Sequence, residues 1–104
     1  MGFALHPDTI TDVDEIHGSI NRYNFNSANR VLEEFLHAFQ MLARFPHHGH
    51  KRPDLTSHAL RFKVVRNHLI AYAPDKNPVW ILGVIDGRMN PRVIAAILRE
   101  REEP

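Results

Sequence analysis

The 104 residues predict an α+β fold, with a hairpin of two helices packed on a small, mainly antiparallel sheet. Three observations lead there. Two amphipathic helical patterns joined by a short polar turn fill the chain up to Phe45. Three short strand patterns, punctuated by turn residues, follow between Leu60 and Ile85. A helix opened by Pro91 closes the chain, spanning roughly 91–101. With a short strand at the N-terminus the order is β-α-α-β-β-β-α.

Phe3-Ala4-Leu5, apolar at alternate positions, supplies that first strand. Pro7 suits the first helical turn, where a missing N–H costs nothing. Ile10, Val13, Ile16, Ile20 and Tyr23 then recur at helical spacing, with Asp12, Asp14 and Glu15 expected to face water. Gly18 weakens this helix unless it lets a second helix approach closely. Asn24 to Ser27 reads as a turn rich in capping side chains. Ala28, Val31, Leu32, Phe35, Phe39 and Leu42 form the stripe of the second helix, with Arg30, Glu33, Glu34, His37 and Arg44 opposite. Phe45-Pro46 ends it, because a residue before proline avoids the helical region.

Leu60-Arg61-Phe62-Lys63-Val64 alternates apolar and cationic residues, as a strand with one buried face does. Arg66-Asn67-His68 reads as a turn and Leu69 to Ala73 as the next strand, stopped by Pro74 to Pro78. Val79 to Ile85 is almost wholly apolar and is expected to be covered on both faces. Asn90 caps the last helix, whose Val93, Ile94, Ile97 and Leu98 dock on the sheet while Arg99 to Glu103 are expected to fray.

Length sets one domain over residues 1–104. Cysteine is absent, which removes disulfides and thiolate metal sites and fits a reducing cytoplasm. Met1 to Pro7 carries no basic start and no long apolar run, so neither a signal peptide nor a membrane anchor is expected. The net charge of +1 is unevenly spread. Residues 1–43 hold two cations (Arg22, Arg30) against six acids, and residues 44–104 hold 11 against six. A basic sheet half suits an anionic partner, either nucleic acid or an acidic protein segment.

Three clusters are candidates for chemistry. His47, His48 and His50 resemble a metal motif, but neighbouring side chains in an extended turn diverge and no Cys or carboxylate completes a shell, so no metal is expected. Lys51, Arg52, Arg61, Lys63, Arg66 and Arg88 form a cation set on the basic half. Arg61 and Lys63, two residues apart on one strand face, would stand about 7 Å apart, close to a phosphate step. His68 is the best available general base, and Tyr72 reads as a core-edge ring with its hydroxyl on a partner. The third cluster is Ile85-Asp86-Gly87-Arg88-Met89-Asn90-Pro91, where Arg88 either anchors a partner carboxylate or bridges to Asp86.

Phe45-Pro46-His47-His48-Gly49 followed by Lys51-Arg52, and Asp86-Gly87-Arg88-Met89-Asn90-Pro91 leading into the last helix, resemble the RelE/ParE toxin superfamily of type II toxin–antitoxin systems, on the ParE-like side. The first matches its Phe-Pro-x-x-Gly turn, in which Gly49 is expected to take a positive φ. The second departs from a His-Gly-Arg-Arg-Asn/Asp-Pro pattern at Asp86 and Met89. The resemblance implies a toxin that inhibits DNA gyrase and blocks replication, is neutralised by a cognate antitoxin in a hetero-oligomer, and needs no cofactor or membrane. It also implies an alternative, a ribosome-dependent mRNA endonuclease using Lys51, Arg61, Arg66, His68 and Arg88. A third possibility is a non-toxic, toxin-derived binding module. On the first reading Lys51, Arg52, Arg61, Lys63, Arg66 and Arg88 are the contacts for target or antitoxin and none is catalytic.

Overall fold

A computed structural model describes residues 2–102, and within them seven elements follow the expected order. They are β1 (Phe3–Leu5), α1 (Pro7–Asn21), α2 (Phe25–Arg44), β2 (Arg61–Val65), β3 (His68–Ala73), β4 (Val79–Asp86) and α3 (Pro91–Glu102). The strands lie in the order β1-β4-β3-β2, with β1 parallel to β4 and the other pairs antiparallel.

Local chemistry sets the helix ends. His6 Nδ1 accepts from the Asp8 N–H at 3.0 Å, and Pro7 takes the first helical position. Asn24 Oδ1 accepts from the Ser27 N–H at 3.0 Å. The capping residue therefore heads the turn, and α2 starts at Phe25 rather than at Ala28 as the sequence suggested. The α1 stripe is narrower than its spacing implied. Val13, Ile16 and Ile20 pack on the core, while Ile10 and Tyr23 are exposed. Gly18 faces open space, and no helix approaches it.

The sheet separates two apolar clusters. On the first face, Val31, Phe35, Phe39 and Leu42 of α2 meet Ile70, Tyr72, Val79, Ile81 and Val84. On the second, Ile94 and Leu98 of α3, with Leu55 from the loop between α2 and β2, cover Leu60, Phe62, Leu69, Ala71, Leu82 and Ile85. As expected, β4 contributes to both. Its alternation slips once: pairing jumps from Ala71↔Gly83 to Tyr72↔Ile81, leaving Leu82 as the extra residue of a β-bulge.

Beyond β1 the edge of β4 is closed by side chains. Thr9 Oγ1 donates to the Ile81 carbonyl at 3.0 Å, and Asp12 Oδ2 accepts from the Val84 N–H at 3.0 Å. Arg101 Nη1 donates to the Leu82 carbonyl at 3.2 Å. Polar side chains thus stand where a neighbouring strand's peptide groups would, which satisfies an edge that otherwise invites pairing. This corrects two expectations. Asp12 turns inward because β4 needs an acceptor, and Arg101 is held by Asp12 at 2.6 and 2.9 Å rather than fraying. Glu102 is likewise drawn in, against His58, while Glu103 lies outside the described residues.

The β2–β3 connection is the two residues Arg66-Asn67, because Val65 already pairs with His68. His68 is therefore the first residue of a strand and not part of the turn. Arg66 adopts φ 56°, a left-handed conformation that costs a non-glycine residue about 1–2 kcal/mol. At the other end of β2, no glycine has a positive φ, so Gly49 is not a conformational requirement. It is a spatial one: a Cβ there would stand 2.5 Å from the Tyr72 hydroxyl and 2.8 Å from the Phe62 carbonyl.

Candidate functional site

Hydrogen bonding fixes the sheet corner from both flanks. The turn projects Arg66 toward α2, where its guanidinium grips Glu34 through two bonds of 2.8 and 2.7 Å. After β4, Asp86 accepts from the Arg88 N–H at 2.9 Å, and from the Arg88 side chain at 3.1 and 2.9 Å. In the loop before β2, Arg52 pairs with Asp54 at 2.9 and 2.7 Å. Two-point contacts of this kind match the planar fork of guanidinium to carboxylate.

Arg52, Arg66 and Arg88 line one hollow of about 280 Å³, with Val64, Asn67, His68, Leu69 and Gly87. Val64 opens onto this hollow, which explains why an apolar residue of an alternating strand stays exposed. All three carboxylates are shifted downward. The hydrogen bond from Arg88 holds Asp86 down at about 2. Arg66 lowers Glu34 and Arg52 lowers Asp54 in the same way, and each carboxylate raises its arginine.

His68 forms the inner wall. Its ring meets Phe35 edge-on at 5.7 Å, and its Nδ1 is shut off from solvent without a partner among the described residues. Burial pushes its pKa below the ordinary 6.5, with Asp86 pulling weakly the other way. The corner thus holds a neutral imidazole among three clasped guanidinium groups.

The remaining candidate cations lie elsewhere. Arg61 Nη1 donates to the Gly49 carbonyl at 2.9 Å and braces the turn that follows α2. The same turn is tied by Tyr72, whose hydroxyl donates to the Pro46 carbonyl at 2.7 Å and accepts from the Gly49 N–H at 2.8 Å. Tyr72 is fully buried, and burial pushes its pKa up. Lys63 Nζ lies 3.1 Å from His48 Nε2 and lines a second groove, about 470 Å³, beside Glu33, Glu34, His37 and Met41 of α2. Lys51 is exposed on the loop, next to a third crevice shared with Arg52. Among the described residues no three His, Cys, Asp or Glu side chains gather as a metal site.

The sequence marks Arg88 and Asp86 as a pair, and Arg52-Pro53-Asp54 carries the same two-residue spacing. Glu34, which neutralises Arg66 across 32 residues, carried no local signal. Asp12 and Arg101, 89 residues apart, carried none either.

A helical hairpin laid on a four-stranded β1-β4-β3-β2 sheet is consistent with the α+β frame of the RelE/ParE-like toxins. The family model of the ParE toxin of the type II toxin–antitoxin system, parDE, matches residues 3–91, and the chain belongs to that family. No curated protein matches the chain. No helix among the described residues is long and apolar enough to cross a membrane.

Proposed function

We propose that this toxin acts in the cytoplasm as a gyrase inhibitor, gripping its target through the cationic corner, and that a cognate antitoxin silences it. The observation that carries this reading is the hollow where Arg52, Arg66 and Arg88 converge, each already clasped by a carboxylate. Guanidinium groups fixed in bidentate pairs make a rigid surface of alternating charge, which recognises a protein face by complementarity. Phosphoryl-transfer chemistry would instead need them free to crowd one phosphate. Lys51 and Lys63 extend the contact surface on either side. The α2 groove, with Glu33, Glu34, Met41 and Lys63 along it, suits an amphipathic antitoxin helix. The acidic remainder of such an antitoxin would cross the basic corner, in keeping with the charge split of the chain.

The test is a supercoiling assay with purified toxin, gyrase and relaxed plasmid. Inhibition relieved by stoichiometric antitoxin is expected, with ribosome-bound mRNA left intact. Normal supercoiling together with mRNA cleavage would overturn the reading in favour of the endonuclease, with His68 as base. Normal supercoiling and intact mRNA would instead support a binding module. Arg88→Ala is expected to weaken gyrase inhibition about tenfold or more with thermal stability unchanged, because an arginine that serves as an interface hot spot carries that much. An Arg88→Ala variant that inhibits fully removes Arg88 from the contact surface.

A further inference from the structure

The family match ends at residue 91, where α3 begins, so the role of α3 has to be read from its contacts in this chain. Those contacts are few and uneven. Of its twelve residues only Ile94 and Leu98 are buried, and Val93 is exposed. A helix of this length is marginal when isolated and depends on what it docks against. Its polar contacts to other elements are concentrated in the last turn. There the Arg101 side chain, 12% exposed, meets Asp12 of α1, 16% exposed, through bonds of 2.6 and 2.9 Å. Arg101 Nε also stands 3.6 Å from Asp8, and Nη1 reaches the Leu82 carbonyl at 3.2 Å. Gly83 leaves the gap through which it passes, since a Cβ there would lie 2.5 Å from Nη1. One guanidinium therefore joins α1, β4 and α3.

We propose that α3 is a strap over the second apolar face of the sheet, fastened chiefly by the Arg101–Asp12 pair, and that it opens as a unit while the rest of the fold stays closed. Two features separate this behaviour from global unfolding. The hairpin-side cluster contains no α3 residue, so it survives when α3 lifts. The face that α3 uncovers holds Leu60, Phe62, Leu82 and Ile85, with Trp80 packed at its margin and lining one crevice with Arg101 and Glu102 of α3. Trp80 is the chain's one tryptophan and reports directly on the strap.

Native-state hydrogen exchange on the unmodified protein gives the first test. Amides of residues 94–101 are expected to exchange by a sub-global opening, at least about tenfold faster than those of 69–72 and 84–85. Asp12→Asn keeps an oxygen acceptor for the Val84 N–H but removes the charge that holds Arg101. It is expected to speed α3 exchange and tryptic cleavage after Arg99 by about tenfold or more, to shift Trp80 emission to the red, and to leave β3 and β4 protection unchanged. Arg101→Met is expected to do the same. The proposal is overturned if α3 and the central strands exchange together in the unmodified protein, or if neither variant changes α3 protection. It is also overturned if both variants lower strand protection as much as helix protection.

Discussion

The two faces of the sheet are closed by unlike means. The hairpin side is sealed by α1 and α2, whose Phe35, Phe39 and Leu42 are fully buried against Ile70, Tyr72 and Ile81. The other side is sealed by a loop and one short helix that contributes Ile94 and Leu98, and a charge pair fastens it. Apolar burial scales with the area removed from water, whereas a part-buried charge pair depends on geometry and is lost at once when either partner is removed. The hairpin face should therefore govern whether the protein folds at all, and the α3 face should govern how it opens once folded.

The most damaging change should fall on the hairpin side. Phe39→Ala is expected to lower the unfolding free energy by about 3–5 kcal/mol in a denaturant titration, as truncations of buried aromatic residues do. A loss no larger than that of Ile94→Ala would erase the distinction between the faces. Tyr72→Phe tests the polar anchor of the same side. It leaves the Gly49 N–H and the Pro46 carbonyl unpaired, for an expected loss of about 1–3 kcal/mol. Exchange at the Gly49 amide should rise with it, and an unchanged amide would show that the turn is held by Arg61 instead.

Gly18→Ala should act in the opposite direction. The site is exposed, helical and open, so the substitution is expected to add up to about 1 kcal/mol of stability, since alanine is the better helix former. Destabilisation there would reveal a contact made by α1 that the fold does not show.

The gentlest probe is acid. His68 belongs to the hairpin side, and burial depresses its folded pKa below the ordinary 6.5. Between that depressed value and 6.5 the unfolded chain binds more protons than the folded one. Stability is thus expected to fall as pH drops below about 6.5. His68→Phe should flatten this part of the melting-temperature profile, and an unaltered profile would assign the acid sensitivity to other histidines.

The sequence was informative where one face of one element decided the matter. The α2 stripe, the break at Phe45-Pro46, Pro91 at the start of α3 and the doubly covered β4 all follow from spacing and turn chemistry. It was silent where distant residues complete each other. Asp12 sits on an acidic helix face, and nothing near it announces that β4 lacks an acceptor at Val84. Arg101 lies in a run of alternating charges that resembles a solvated tail. The cation set was legible as a list, but its division was not. Arg61 faces Gly49, Lys63 faces His48, and Arg52, Arg66 and Arg88 share the corner, because strand parity and a two-residue turn sort them. The positive φ expected at Gly49 is absent, and the crowding by Tyr72 that excludes a side chain there leaves no local trace in the sequence.

The extra residue in β4 has an evolutionary corollary. Val79, Ile81 and Val84 serve one cluster while Trp80, Leu82 and Ile85 serve the other, a rhythm of two then three. Straightening the bulge with Leu82 retained would turn the distal half of the strand inside out, exchanging Val84 and Ile85 between clusters, whereas removing the extra residue together with the bulge would leave both where they are. Homologous chains should therefore tolerate many exchanges of apolar side chain along this stretch, and should lose its extra residue only together with the bulge.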